Sequence, residues 1–195
     1  TLTKYYSNTV RSGHLEELRG RRARRQSSNS YAFTSWWADA TNRPITELAD
    51  FTRTFFAKHT LLNVLTRYCV FDVDRKLLVM RPYQIVAAER ILQRIVTSTN
   101  HRQLGTPAAG GYIWHTTGSG KTLTSFKAAQ LACTLPHLDK VLFVVDRKDL
   151  DYQTMREYDR FEKGAANSNA STAVLQKQLE DPAARIIVTT IQKLS

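Results

Sequence analysis

The residues of this chain best suited to chemistry form one short loop, in which two glycines precede a lysine and a threonine. The loop reads His115-Thr116-Thr117-Gly118-Ser119-Gly120-Lys121-Thr122. Gly118 and Gly120 allow backbone angles and close approaches that a Cβ would forbid, so successive N–H groups can turn toward one anion. Lys121 would add a positive charge for the β- and γ-phosphates, and Thr122 a hydroxyl ligand for Mg²⁺. The pattern predicts a nucleoside triphosphate site.

The segments on either side of the loop match the strand and the helix that a phosphate loop requires. Residues 111–115 form an apolar run that predicts a strand, and the apolar residues after Lys121 recur at helical spacing. A helix beginning there would add its positive N-terminal dipole to the site. His115 departs from G-x-x-x-x-G-K-[ST], which requires glycine at that position. A glycine-rich surface turn beside an exposed lysine is the alternative, and the flanking segments disfavour it.

Composition and charge favour a protein that handles polyanions. The chain has 195 residues, 42% of them hydrophobic and 23% charged, enough for one core and a smaller second unit. Its 28 lysines and arginines against 17 acidic residues give a net charge of +11. Such an excess favours nucleic acid, whose phosphates dominate affinity, although solubility or an acidic protein partner would also explain it.

Cysteine usage and the start of the chain give further expectations. Cys69 and Cys133 lack metal-ligand spacing, which argues against a zinc site or disulfide framework and predicts a reducing compartment. No apolar run approaches about 20 residues, so no membrane span is expected. The chain begins at Thr1 without an initiator methionine or a signal-peptide pattern, which predicts a fragment.

The first third of the chain differs in composition from the rest. Residues 18–30 are basic and polar, which favours a solvated linker over a segment that touches DNA backbone. Residues 31–37 are rich in aromatic side chains and are expected to pack in the protein rather than to stack on bases. We therefore divide the chain into an upstream end with the basic linker (1–40), a helical bridge (41–80) and an ATP-binding lobe (81–195).

Alternating apolar segments predict the architecture of that lobe. Residues 141–145 and 186–188 are continuous apolar runs, as in parallel strands covered on both faces, while helices are expected near 149–161 and 171–179. This order predicts an α/β fold, a doubly wound parallel sheet with flanking helices. Ligands of such sheets bind at the carboxyl ends of the strands, which is where the phosphate loop and the residues after both strands would meet.

A glutamine upstream of the loop is a candidate for reading the nucleotide base. Gln84 follows Pro82 at the start of an amphipathic helix, 37 residues before Lys121. Its amide presents one donor and one acceptor side by side, the chemistry needed at the edge of adenine. A solvated glutamine near a helix start is the plainer alternative.

Four segments together resemble the motor of type I restriction enzyme R subunits. They are Arg81-Pro82-Tyr83-Gln84, the loop from Trp114 to Thr122, residues 144–153 and residues 188–194. Residues 33–40 and 46–48 are also similar to that family, and His115 fits it as well. The resemblance covers nearly the whole chain.

The resemblance implies a superfamily 2 helicase-like motor with a RecA-like P-loop lobe, which uses ATP and Mg²⁺ to move double-stranded DNA before endonucleolytic cleavage. It implies methyltransferase and specificity subunits as partners, and the bacterial cytoplasm as location. By this resemblance Gln84 senses adenine, and the triphosphate and its Mg²⁺ are bound by Thr117, Gly118, Ser119, Gly120, Lys121 and Thr122, with Lys121 and Thr122 catalytic. The implied DNA contacts are Arg147, Gln153, Thr189 and Thr190, whose donors suit sugar and phosphate. A structural role is the alternative for each of the four, and it is favoured for Gln153.

Other functions stay open at this stage. The chain reaches Ser195 before any Asp-Glu-Ala (Walker B) motif or second motor lobe, so nucleotide binding without useful hydrolysis is expected of it alone. The nearest alternative is a stand-alone superfamily 2 helicase or remodelling translocase without a nuclease. A DNA-independent ATPase or kinase and a DNA-binding scaffold are more distant alternatives. Asp72, Asp74 and Lys76 superficially resemble a nuclease cluster, but a turn before residues 77–79 is the favoured interpretation.

Overall fold

The computed structural model describes residues 2–6, 34–146, 148–164, 166–168 and 170–194, and only the backbone of residues 148–153. Within it the chain forms two compact units, one of residues 1–63 with 81–83 and one of residues 64–80 with 84–195. The predicted basic linker at residues 18–30 lies outside the described residues. The division at residues 40 and 80 remains a prediction from composition.

Aromatic rings organise the first unit. Two helices follow one another where the apolar spacing of residues 44–68 predicts them, and a short antiparallel strand pair precedes them; the elements are β1 (Tyr5–Tyr6), β2 (Thr34–Ser35), α1 (Leu48–Phe55) and α2 (Lys58–Thr66). The last turn of α2, from residue 64, belongs to the second unit. The Phe55 ring centroid lies 5.1 Å from that of Trp37, 5.1 Å from that of Phe51 and 5.7 Å from that of Tyr5. Trp37 therefore packs within the protein, as expected for this aromatic segment.

A parallel sheet organises the second unit. The elements after residue 66 are β3 (Cys69–Phe71), β4 (Leu77–Val79), α3 (Pro82–Asn100), α4 (Lys121–Ala132), β5 (Val141–Val145), α5 (Lys148–Phe161), β6 (Asn167–Ser168), α6 (Thr172–Glu180), β7 (Ile186–Thr190) and α7 (Ile191–Leu194), with a 3-10 turn at Pro107–Ala109. The strands lie in the order β5, β7, β6 and are all parallel. The expected mixed α/β architecture with a parallel sheet is confirmed.

The central strand β7 is buried on both faces, which explains its continuous apolar sequence. Val188 belongs to a core cluster with Phe126 of α4 and Tyr158 of α5, whereas the next residue toward the N-terminus, Ile187, packs with Leu175 of α6. Because neighbouring side chains of a strand point to opposite faces, helices cover both sides of β7. Burial of each large apolar side chain contributes about 1.5–3 kcal/mol to folding.

Two strands differ from the sequence predictions. Residues 111–115 are not a strand: they pair with no other strand of the described chain, and Tyr112 and Trp114 are 91% and 87% exposed. An apolar run forms a strand only where a neighbour takes up its backbone N–H and C=O groups. The short strand β6 was not predicted, because Asn167 and Ser168 carry no apolar signal; it exists through its pairing with β7.

The acidic residues near position 72 build a hairpin turn. Strands β3 and β4 pair antiparallel, and the carboxylate of Asp72 accepts the backbone N–H of Lys76 at 2.8 Å. Its other oxygen lies 3.9 Å from Nε of Arg160, while Asp74 forms an exposed ion pair with Lys76 at 3.5 Å. No group of three or more His, Cys, Asp or Glu residues in the described part of the chain could hold a metal. The turn interpretation is confirmed, although a strand rather than a helix precedes it.

A buried tyrosine makes the stability of the second unit sensitive to alkaline pH. Burial raises the pKa of Tyr158 to about 12, and its hydroxyl donates to Oγ of Ser125 at 3.0 Å. Since a tyrosine of the unfolded chain ionises near 10, this stabilisation is complete below pH 10 and is lost as pH rises from 10 to 12. Urea unfolding should therefore show a smaller loss of stability between pH 9 and 11 for Tyr158→Phe than for the wild type.

A second buried tyrosine, Tyr68, tests the same effect independently. Burial and a hydrogen bond to Glu89 also raise the pKa of Tyr68 to about 12, so Tyr68→Phe should remove a separate part of the same pH dependence. An identical alkaline slope in the wild type and Tyr158→Phe would contradict the assignment to Tyr158.

Candidate nucleotide-binding site

The predicted phosphate loop leads directly into helix α4. Gly118 and Gly120 have φ values of +75° and +78°, the left-handed region that side chains rarely adopt. Gly120 is the N-cap residue of α4. A Cβ on Gly118 would meet no atom within 4 Å, so an anion can approach the backbone there. Both glycines thus adopt the backbone conformation that explains why the pattern has glycine at these positions.

Hydrogen bonds to one carbonyl close the loop on itself. The backbone oxygen of Thr116 accepts from Oγ and N of Ser119 at 2.7 and 3.3 Å, and from Nζ of Lys121 at 3.2 Å. The Lys121 ammonium therefore lies over the loop rather than extending away from it. Thr116 was not among the predicted site residues, because a backbone carbonyl carries no signal in the sequence.

The buried side chain of Gln84 donates two hydrogen bonds to the backbone of the loop. It is only 4% exposed, and its amide nitrogen donates to the backbone oxygens of Ser119 at 3.1 Å and Gly120 at 3.2 Å. A Cβ built on Gly120 would lie 2.5 Å from that nitrogen. Gly120 is thus favoured by its positive φ, and a Cβ there would also displace the amide end of the Gln84 side chain.

The remaining predicted ligands continue the loop into the first turn of α4. Thr117 and Gly118 are exposed at the tip, and Thr122 is half-buried in the helix, where its carbonyl accepts from Oγ of Ser125 at 3.0 Å. Left-handed glycines, a lysine and a hydroxyl at the N-terminus of a helix are the chemistry that fits a triphosphate and its Mg²⁺. The roles of these residues toward a nucleotide remain predictions.

Contacts at the far end of α4 fix its direction. The Arg185 guanidinium donates to the carbonyl of Cys133 at 2.7 Å, just after α4, and Arg185 directly precedes β7. The C-terminal end of α4 therefore lies beside the start of β7. Since Phe126 and Ala129 of α4 pack against this sheet, the helix runs back along it with its N-terminus toward the carboxyl ends of the strands. This direction agrees with the expectation that the loop lies at that edge.

Sequence inspection missed a buried lysine on the same helix. Lys127 is 7% exposed, and its Nζ donates to the backbone oxygen of Cys69 at 3.0 Å and to Oε1 of Gln130 at 2.8 Å. Burial lowers the pKa of its ammonium group. It ties α4 to β3, a role that no sequence pattern indicates because lysines are usually exposed.

Known proteins match both the lobe and most of the chain. The family model of the SWI2/SNF2 ATPases matches residues 83–195. The chain is 50% identical over 161 residues to the C-terminal part of a putative type I restriction enzyme MpnIIP endonuclease from Mycoplasma pneumoniae, covering 81% of this chain and 78% of that protein. It is 44% identical over 161 residues to the type I restriction enzyme SsaAORF53P endonuclease subunit from Staphylococcus saprophyticus. This chain belongs to the type I restriction enzyme endonuclease subunits.

The type I restriction enzyme relatives differ greatly in how much of them this chain spans. The match to the Staphylococcus saprophyticus protein covers 82% of this chain but only 16% of that relative. The type I restriction enzyme EcoprrI endonuclease subunit from Escherichia coli is 47% identical over 104 residues, which are 53% of this chain and 29% of that protein. The resemblance found in the sequence is confirmed at the level of the family.

Two of the DNA contacts expected from the restriction enzyme resemblance are inaccessible in this structure. Thr189 and Thr190 are both 0% exposed, because β7 is the central strand and β5 lies beside it in register. Their hydroxyls therefore cannot touch a DNA strand in this conformation, and the hydroxyl of Thr190 has no hydrogen-bond partner among the described residues. Burial in this conformation disfavours DNA contacts by these two threonines, and their predicted role stays a prediction.

The other expected DNA contacts of this restriction enzyme subunit lie partly outside the described residues. Arg147 is not described, and Gln153 lies on α5 where only the backbone is described. Nearby, Nε2 of Gln192 donates to the carbonyl of Asp146 at 3.1 Å and so joins the carboxyl ends of β7 and β5. No helix of the described chain is long and apolar enough to cross a membrane.

Proposed function

We propose that this chain is part of the ATP-dependent DNA translocase of a type I restriction endonuclease, a RecA-like lobe that drives double-stranded DNA before endonucleolytic cleavage. The observation that carries the proposal is the loop of residues 115–122, with two left-handed glycines before α4, in a member of the type I restriction enzyme family. In this proposal, Lys121 and Thr122 bind the triphosphate and Mg²⁺ of ATP.

The geometry of the loop supports the nucleotide part of the proposal. The left-handed φ values of Gly118 and Gly120 suit a loop whose backbone N–H groups turn toward an anion, and the dipole of α4 adds positive potential at the same place. The Lys121 ammonium is already held over the loop by Thr116. The bound Mg²⁺ would supply charge neutralisation at the β- and γ-phosphates, with Thr122 as its protein ligand.

The charge of the chain supports the DNA part. A net charge of +11 favours a polyanionic partner, and phosphate contacts need no sequence recognition. In this proposal double-stranded DNA is the substrate that moves. From the family resemblance alone, we add methyltransferase and specificity subunits of the same cytoplasmic complex as partners. Arg147 and Gln153 remain the proposed DNA-contacting residues.

A stand-alone helicase or remodelling translocase without a nuclease is the second candidate. The SWI2/SNF2 ATPase match on residues 83–195 is compatible with it, because that description names no nuclease. The names of the relatives favour the restriction enzyme, since each is called a type I restriction enzyme endonuclease subunit or a part of one.

Binding measurements on the chain test the first part of the proposal. A fluorescent ATP analogue should bind in the presence of Mg²⁺, and double-stranded DNA should bind with an affinity that falls at least about tenfold between roughly 50 and 200 mM salt, whatever its sequence. No detectable binding of any triphosphate at millimolar concentration would overturn the nucleotide role.

Translocation requires a separate experiment on a complete type I endonuclease subunit that carries this chain, assembled with methyltransferase and specificity subunits. ATP-dependent displacement of a third strand from a DNA triplex, followed by cleavage, is the expected result. Displacement without cleavage would instead support the plain translocase.

A further inference from the structure

The contact between Gln84 and the phosphate loop has a consequence for how the loop presents its N–H groups. The Gln84 amide nitrogen donates to the carbonyls of Ser119 and Gly120, at 3.1 and 3.2 Å. In a trans peptide, the C=O of one residue and the N–H of the next point in opposite directions. By holding the Ser119 carbonyl on one side, Gln84 therefore directs the N–H group of Gly120 to the other side. The Gly120 carbonyl also accepts from N and Oγ1 of Thr124, both at 3.1 Å, so Gln84 and the first turn of α4 together direct the N–H group of Lys121.

We propose that Gln84 is a positioning residue of the phosphate loop, which orients the Gly120 and Lys121 amides toward the triphosphate independently of the base. This inference rests on the proposed nucleotide function and goes beyond the expectation that Gln84 reads adenine. A donor is needed at this place because both loop atoms are acceptors, and the glutamine amide supplies two N–H bonds.

Burial makes the contact selective for glutamine. Gln84 is 4% exposed, so a side chain without a donor leaves a buried gap beside the Ser119 carbonyl. The Gly120 carbonyl would lose one hydrogen bond but would keep those from N and Oγ1 of Thr124. A glutamate at this position would place acceptors against acceptors when ionised. The Gln84 amide also packs closely against Gly120, because a Cβ on Gly120 would lie 2.5 Å from Nε2 of Gln84.

The decisive experiment compares three ligands that share only their phosphates. The Mg²⁺ complexes of ATP, GTP and inorganic tripolyphosphate are titrated against the wild-type chain and against Gln84→Met, which keeps the length of the side chain but has no donor. We expect Gln84→Met to weaken all three by a similar factor, about tenfold, which corresponds to the loss of one or two hydrogen bonds. A Gln93→Met variant, the same change at an exposed site of α3, should leave all three affinities unchanged.

The outcomes separate this inference from others. Weaker binding of ATP alone, with GTP and tripolyphosphate unaffected, would overturn it in favour of adenine reading. Unchanged binding of all three would overturn it in favour of a loop that needs no support. If the wild-type chain binds none of the three, the proposed nucleotide function fails and this inference falls with it.

A second variant keeps the test valid if Gln84→Met unfolds. Gly120→Ala should weaken triphosphate binding through its backbone strain and its clash with Gln84. In the double variant Gly120→Ala/Gln84→Ala the shortened side chain at position 84 no longer clashes with the new Cβ. Its affinity should therefore fall by a smaller factor than the product of the factors measured for Gly120→Ala and Gln84→Ala alone. Strictly multiplicative losses would contradict a direct contact that positions the loop.

Discussion

A Lys121→Ala variant should bind Mg²⁺-ATP roughly 10- to 150-fold more weakly than the wild-type chain, while its affinity for DNA stays the same. The expectation follows from the loss of a charge-assisted contact to phosphate, which contributes about 1.5–3 kcal/mol. Lys121 is exposed, and its ammonium group donates to the Thr116 carbonyl within the loop. Removing its side chain should therefore cost little stability. Isothermal titration calorimetry with ATP, and fluorescence anisotropy with labelled duplex DNA, measure the two affinities.

The matched control is Lys163→Ala, an exposed lysine in the turn after α5, which removes the same charge away from the loop. It should leave the affinity for ATP unchanged. An unchanged affinity in Lys121→Ala itself would favour the interpretation of the loop as a surface turn and of the chain as a scaffold. If Lys121→Ala also weakened DNA binding and lowered the melting temperature, the variant would be acting through folding.

A Phe126→Ala variant should lower the free energy of unfolding by about 3–5 kcal/mol, the cost of removing a large ring from a packed core. Phe126 is fully buried, with its ring centroid 5.1 Å from that of Tyr158 and 5.2 Å from that of Phe161. Because it anchors α4, the helix that begins at the phosphate loop, nucleotide binding should be lost together with stability. Urea unfolding followed by circular dichroism measures the change.

Phe71→Ala provides the comparison for this second prediction. Phe71 is 67% exposed on the hairpin, so the same truncation should change the free energy of unfolding by less than about 0.5 kcal/mol. Equal effects of the two substitutions would contradict the position of the core on β5, β7 and their helices.

Local patterns allowed several elements to be predicted because neighbouring residues in the chain decide them. The helices α3, α4, α5 and α6 follow from apolar spacing, and β5 and β7 from continuous apolar runs. The left-handed glycines of the loop follow from the rarity of that backbone region for other residues. These features depend on steric and hydrophobic properties that each segment carries by itself.

Other features could not be predicted, since partners distant in the sequence decide them. Residues 111–115 have the composition of a strand but pair with nothing in the described chain, whereas the polar β6 pairs with β7. Thr189 has a donor suited to phosphate, yet its place on a central strand buries it completely. Gln84 has an amide suited to adenine, yet in the structure that amide holds two loop carbonyls.

The sequence by itself determined the type of chemistry available here, a phosphate loop before a helix in an α/β lobe, because glycine conformations and apolar periodicity are local properties. It also carried the resemblance to type I restriction enzyme motors, through four short motifs between residues 81 and 194. Only the tertiary structure decided which donors point at the loop, which hydroxyls are shielded and which strands pair. Those outcomes depend on contacts between residues such as Gln84 and Gly120, which lie 36 positions apart and meet only when the helices pack on the sheet.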